Sequence, residues 1–96
     1  MFDKMKQLME MKKQAERLKR ELDTISVDVS EVAGIKVTVS ASLQFKAIEI
    51  SDAYFQEGRK DRLEADMLRS VNAAIARSQQ IAAAKMKESM PGMPGF

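Results

Sequence analysis

The 96-residue chain is 45% hydrophobic and 31% charged, contains four glycines and two prolines, and has a formal net charge of +2. This size and composition predict one small globular domain, whose modest core favours association with a second copy. Because the sequence contains no cysteine and no histidine, disulfides, thiolate or imidazole metal ligands and histidine-dependent catalysis are excluded.

A long helix is predicted from Phe2 to about Thr24, because this segment lacks glycine and proline and consists almost entirely of helix-forming residues. Apolar residues recur along it at spacings of three and four, which predicts a face that packs along the whole helix. This apolar face consists of Leu8, Met11, Ala15, Leu18, Leu22 and Ile25. On the opposite side, four cations fall within about 60° of one another. These cations, here called the basic ridge, are Lys6, Lys13, Arg17 and Arg20.

Three short strands are predicted next, because apolar and polar residues alternate with a period of two. The three runs cover residues 25–30, 35–40 and 44–50. Their short connections predict an antiparallel meander. The apolar residues of the third run change phase, which indicates either a bulge or an edge residue that uses both faces of the sheet. We expect Val37, Val39, Ile48 and Ile50 to face the helices, and Lys36, Thr38 and Glu49 to face away.

A second long helix is predicted from Lys60 to about Lys87, after a polar connection. The last eight residues repeat a Met-Pro-Gly unit, which neither a helix nor a strand tolerates. We therefore expect a single domain over residues 1–88 and a flexible tail over residues 89–96. No stretch has the roughly 20 apolar residues of a membrane span, and the first residues do not resemble a secretory signal, so we expect a cytoplasmic protein.

Charge is distributed unevenly along the chain. Residues 1–24 contain seven basic and five acidic residues and residues 59–96 contain seven and four, whereas residues 25–58 contain two and five. Basic helices beside an acidic sheet favour helices that project toward a polyanion, although any solvated helix face carries similar cations. The candidate DNA-binding residues are Lys6, Lys13, Arg17, Arg20, Arg77, Lys85 and Lys87.

The sequence predicts no catalytic residue, no metal site and no cofactor. It has no glycine-rich phosphate loop, no nucleophile elbow and no aromatic-rich sheet on which bases could stack. We therefore expect neither an enzyme nor a small-molecule substrate. The methionine-containing helix faces leave open a second class of function, a cytoplasmic interaction or chaperone-like adaptor that clamps a protein partner between its helices.

Four sequence fragments occur in a characteristic order along the chain. They are residues 9–15 (MEMKKQA), 34–39 (GIKVTV), 48–51 (IEIS) and 71–74 (VNAA), the last continuing into Arg77. Together with the order of elements and the Met-Pro-Gly-Phe tail, they make the whole chain resemble the YbaB/EbfC family of bacterial nucleoid-associated proteins.

The resemblance implies an α+β fold whose α-β-β-β-α protomer has a three-stranded antiparallel meander flanked by two long helices. It implies a tweezer-like homodimer, joined through the sheets, whose projecting helices grip duplex DNA. It also implies a location in the cytoplasm and nucleoid, little or loose sequence selectivity, and no catalysis.

Overall fold

The computed structural model describes residues 2–89, and the predicted order of helix, three strands and helix is confirmed. The helices are α1 (Phe2–Thr24) and α2 (Lys60–Ser89), and the strands are β1 (Ser26–Val29), β2 (Ile35–Ser40) and β3 (Phe45–Ile50). A short 3₁₀ helix, Asp52–Phe55, lies within the predicted polar connection before α2. Of the predicted tail, residues 90–96 lie outside the described residues, whereas Ser89 is the last residue of α2. Neither of the described helices is long and apolar enough to cross a membrane.

The three strands form the predicted antiparallel meander, in the order β1-β2-β3. The pairing of β2 with β3 shifts within this sheet, because Thr38 lies opposite Ala47 whereas Val39 lies opposite Phe45. Lys46 is therefore the extra residue of a bulge in β3, which explains why the apolar residues of this strand change phase.

α2 lies across β1 and β2 and forms the core with them. Ser70, Ala74 and Ser78 repeat every fourth residue on the buried face of α2, and all three are fully buried. Residues at this spacing lie on one face of a helix, and small side chains there let the helix backbone approach the sheet closely. On the sheet side the core consists of Ile35, Val37 and Val39.

The helix-facing side of β3 is not covered to the same extent. Ile48 pairs with Val37 and Ile50 with Ile35, so both side chains lie on the predicted face. Ile48 is nevertheless 44% exposed, and Phe45 is equally exposed, because α2 packs mainly on the other two strands. The orientation of Ile48 is as predicted, but a single chain leaves it uncovered.

The opposite face of the sheet is polar. Lys36 forms a salt bridge with Glu49 across β2 and β3, with Nζ and Oε2 2.6 Å apart. The Thr38 hydroxyl donates a hydrogen bond to the Asp28 carboxylate across β1 and β2, at 2.7 Å. The prediction that Lys36, Thr38 and Glu49 face away from the helices is thus confirmed.

Tyr54 connects the 3₁₀ helix to α2 through a side-chain hydrogen bond. Its hydroxyl donates to Asp66 Oδ2 at 2.7 Å, and Arg62 Nε donates to the same oxygen at 3.1 Å. The Tyr54 hydrogen bond contributes most to lowering the pKa of the Asp66 carboxyl, and burial opposes it while Arg62 assists. The Tyr54 ring also lies against Gly34, where an added Cβ would be 3.0 Å from ring atom Cε2 and φ is +97°. The tyrosine therefore ties together the β1–β2 connection, the 3₁₀ helix and α2.

The packing of α2 on β2 predicts a large effect for Val37→Asp. This change places an unpaired carboxyl group at a fully buried position, which we expect to cost at least about 3 kcal/mol of an unfolding free energy of roughly 5–15 kcal/mol. The melting temperature measured by circular dichroism should fall by more than about 12 °C. Ala47→Asp, on the exposed opposite face of β3, is the control and should melt nearly as the unmodified protein does. Normal melting of Val37→Asp would contradict the packing.

The hydrogen bonds to Asp66 predict a pH-dependent contribution to stability. Because the pKa of Asp66 is lower in the folded chain than the ordinary value of 3.8, its contribution is present above that value and is lost as the pH falls through the lower, folded-state pKa. In urea titrations, wild type should be more stable than Asp66→Asn at about pH 6. The difference should shrink progressively as the pH is lowered below the ordinary value of 3.8. A difference independent of pH would contradict this assignment.

Candidate nucleic-acid interface

Most of α1 projects from the fold. Every side chain from Asp3 to Arg17 is exposed, and Leu18 is the first buried residue of the helix. We call residues 3–17 the arm. Within the described residues the arm contacts the rest of the molecule at its base alone, where Leu18 is buried and Leu22 and Ile25 are half-buried.

The expectation that the apolar face of α1 packs along the whole helix is therefore wrong for a single chain. Leu8 is 65% and Met11 is 58% exposed, and Ala15 is exposed as well. Only the second half of the predicted face, from Leu18 onward, has a partner among the described residues. The physical reason is the position of α2, which ends before it reaches the arm.

The contact between Glu21 and Lys85 defines how far the arm extends. Oε2 of Glu21 lies 3.9 Å from Nζ of Lys85, so these residues stand side by side on α1 and α2. From this level α2 continues about 6 Å to Ser89, whereas α1 continues about 28 Å back to Phe2, at 1.5 Å per residue. The arm thus extends about 22 Å past the last turn of α2, in a molecule whose dimensions are 67 × 20 × 18 Å.

Three residues of the basic ridge, Lys6, Lys13 and Arg17, lie on the arm, and the fourth, Arg20, lies just past it at the base. All four ridge side chains are exposed, and among the described residues none has a carboxylate oxygen within 4.0 Å. The glutamates interleaved along α1 therefore do not neutralise the ridge through direct ion pairs. The cations are available to an external anion.

Three further cations of α1 were not among the candidates predicted from the sequence. Lys4, Lys12 and Lys19 are also exposed and have no ion pair among the described residues. By helical periodicity Lys12 and Lys19 lie beside the apolar face that was expected to pack, and Lys4 lies on that face, one turn before Leu8. A contact along this face would have covered them, and the single chain does not make it. All seven basic residues of α1 are consequently accessible.

The three candidate residues of α2 have different surroundings. Lys85 is partly buried and paired with Glu21, whereas Lys87 is exposed in the last turn. Arg77 is exposed and donates to Gln80 Oε1 at 3.5 Å, and it borders a cavity of about 490 Å³ that Asp28 and Glu31 also line. Of the three, Lys87 is the one nearest to the arm, because it lies closest to the end of α2.

Comparison with known proteins identifies the family of the chain. Residues 1–93 match the YbaB/EbfC DNA-binding family. A nucleoid-associated protein of Flavobacterium johnsoniae is 31% identical over 99 aligned positions, which cover 96% of this chain and 90% of the relative. The match extends over both helices and the sheet, so it includes the arm and its cations. The chain therefore belongs to the YbaB/EbfC DNA-binding family.

Proposed function

We propose that two copies of the chain form a homodimer that grips duplex DNA with its arms, through helix cations that contact phosphates. The observation that carries this proposal is the arm itself, a helix that extends about 22 Å beyond its neighbour with its cations exposed and without ion pairs among the described residues. The chain belongs to a DNA-binding family and is similar to a nucleoid-associated protein. Both findings support DNA as the polyanion that the arm binds.

The dimensions of the ridge suit a duplex. From Lys6 to Arg20 the helix rises about 21 Å, which corresponds to about six base pairs at 3.4 Å each. Lysine and arginine that contact phosphates displace counterions and position the protein without reading bases. We therefore propose binding with little or loose sequence selectivity, in the nucleoid, without a cofactor. The proposed contacts are Lys6, Lys13, Arg17, Arg20 and Lys87, with Arg77 and Lys85 in support.

The uncovered side of β3 supports the homodimer. Phe45 and Ile48 are each 44% exposed on the helix-facing side of the sheet, and Leu43 beside them is 42% exposed. β3 is also an edge strand, so one side of its backbone has no ladder partner within the described fold. A second copy that meets this strand would cover the apolar residues and place a second arm on the same particle.

The exposed apolar face of the arm favours a second candidate function. Leu8 and Met11 of this face, and Met5 beside it, are each at least 58% exposed, and faces that contain methionine adapt to protein partners. An adaptor that clamps a protein through these residues would bind with weak salt dependence, since burial of apolar surface is not screened by ions. Binding to DNA through phosphates would weaken steeply with salt.

Dimerisation through β3 predicts that Ile48→Asp separates the two copies. Light scattering of the wild type should give about twice the chain mass of 10.8 kDa, and Ile48→Asp should give a single chain mass, because a charge at a contact is costly to desolvate. Leu68→Asp replaces another exposed apolar residue, 66% exposed on α2, and should remain dimeric. A wild type that stays monomeric at high concentration would rule out the homodimer.

Phosphate binding by the ridge predicts a specific salt dependence. If a dimer contacts about four to six phosphates, log K should fall against log salt with a slope near −4 to −5. Lys13→Gln with Arg17→Gln should weaken binding to all DNA sequences alike and flatten the slope by about 0.9 for each phosphate that is no longer neutralised. Mobility-shift titrations at several salt concentrations measure both quantities.

A matched control tests whether position matters beyond total charge. Arg59→Gln with Lys60→Gln also removes one arginine and one lysine, both exposed, from the opposite end of the molecule at the start of α2. We expect this variant to keep the wild-type slope. Neither double variant should change stability by more than a few tenths of a kcal/mol per residue. Equal effects of the two variants would move the site away from the ridge.

A further inference from the structure

A chain of side-chain hydrogen bonds connects the base of α1 to the β2–β3 turn and to α2. On α1, the Asp23 carboxylate accepts from the Ser42 hydroxyl. The Ser42 and Ser40 hydroxyl oxygens are 2.7 Å apart, and Ser78 on α2 donates to the Ser40 carbonyl oxygen at 2.8 Å. Three elements of the fold thus meet through one polar path.

The direction of each hydrogen bond follows from the number of protons. A carboxylate only accepts, so the single hydroxyl proton of Ser42 is used on Asp23. Ser40 must therefore donate its own proton to Ser42, and its oxygen accepts from the Gln44 backbone N–H at 3.0 Å. Each hydroxyl proton is used once, and the path has one consistent arrangement that ends on Asp23.

The β2–β3 turn is a firm support for this path. The Ser40 N–H donates to the Gln44 carbonyl at 2.8 Å and the Leu43 N–H donates to the Ser40 carbonyl at 3.0 Å, with Leu43 at φ +67°. The next residue, Ala41, donates its N–H to the Ile25 carbonyl at 2.9 Å, just past the end of α1. Ser40 itself has no exposed surface. Asp23 therefore accepts its hydrogen bond from a turn whose backbone is fixed by hydrogen bonds within the turn and by one to Ile25.

The position of Asp23 within α1 requires a compensating interaction. It lies in the last turn of the helix, which contains no basic residue, and the helix dipole disfavours a negative charge there. The hydroxyl of Ser42 supplies the compensation. Two other polar contacts lie at the base, the partly exposed Glu21–Lys85 pair at 3.9 Å and the backbone hydrogen bond from Ala41 to Ile25. The remaining contacts described there are made by apolar side chains such as Leu18 and Leu22, whose packing depends little on direction, whereas a short side-chain hydrogen bond prefers a narrow range of angles.

We propose that Asp23 and Ser42 are positioning residues that set the direction of the arm and thereby its register on DNA, an inference that rests on the proposed function. The distance along α1 from Asp23 to Lys4 is about 28 Å. A tilt of about 10° at the base therefore moves the tip by about 5 Å, which exceeds the 3.4 Å rise between base pairs. Small changes at Asp23 and Ser42 are amplified at the phosphate contacts.

Asp23→Ala and Asp23→Asn separate positioning from charge. Both variants remove one negative charge, which by electrostatics alone would strengthen DNA binding. Asparagine keeps an oxygen that can accept from Ser42, whereas alanine does not.

We expect Asp23→Ala to weaken DNA binding about threefold to tenfold and Asp23→Asn to bind at least as tightly as wild type. Ser42→Ala, which leaves the charge unchanged, should weaken binding as Asp23→Ala does. Equal tightening by both Asp23 variants would overturn the proposal.

A distance measurement tests arm direction without DNA. Because the chain has no cysteine, spin labels can be attached at Gln7→Cys on the arm and Asn72→Cys on α2, both exposed positions. Dilution with unlabelled protein restricts the signal to one chain. The distribution of distances between the labels should broaden or shift in Asp23→Ala and Ser42→Ala and keep its wild-type form in Asp23→Asn.

The two readouts distinguish failure of this inference from failure of the proposed function. Unchanged distance distributions in Asp23→Ala and Ser42→Ala would overturn the positioning role whether or not the protein binds DNA. Altered distributions in a protein that shows no salt-sensitive DNA binding would support the positioning role and reject the function. Circular dichroism melts of the same variants show whether the domain is folded, and Asp23→Asn serves as the folded reference.

Discussion

The close approach of α2 to β2 determines how the other elements are arranged. Ser70, Ala74 and Ser78 present so little side chain that the helix lies directly on the central strand, above Val37 and Val39. A helix in this position covers β1 and β2 and leaves β3 with an open apolar side. Farther along the same helix, Ser78 donates a hydrogen bond to Ser40 and Lys85 pairs with Glu21 on α1. One packing contact therefore produces the core, the uncovered strand and the support at the base of the arm.

The elements themselves were predictable because their signals are local. Both helices lack glycine and proline over their whole length, and the strands alternate with a period of two, so the sequence indicates the order of the elements and their bounds to within two residues. The phase change in β3 left two alternatives, and the register of the sheet shows that the bulge, at Lys46, is the one present. The 3₁₀ helix at Asp52–Phe55 was not predicted, because its stability depends on Tyr54 reaching Asp66 on a different element. A contact of that kind leaves no periodic pattern in the sequence.

The face on which an apolar side chain lies was more predictable than whether another element covers it. Periodicity shows which side chains share a face, but it does not show whether another element is long enough to cover that face. For this reason Leu8 and Ile48 lie on the predicted sides and are nevertheless exposed. The same limit applies to the candidate site. The angle between ridge cations follows from helical geometry, whereas the pairing of Lys85 with Glu21 depends on where two helices pass each other.

The scarcity of contacts along the arm also affects its helix–coil equilibrium. An isolated helix of about fifteen residues is marginal in water, and most helices in proteins are stabilised by tertiary packing that the arm lacks. Its backbone amides should therefore exchange with solvent much faster than those of α2 beneath the sheet. A partner that engages one face of the arm would select the helical form, and the free energy of ordering would be subtracted from the affinity. Since helix formation is favoured by cooling, such binding should become tighter as the temperature falls.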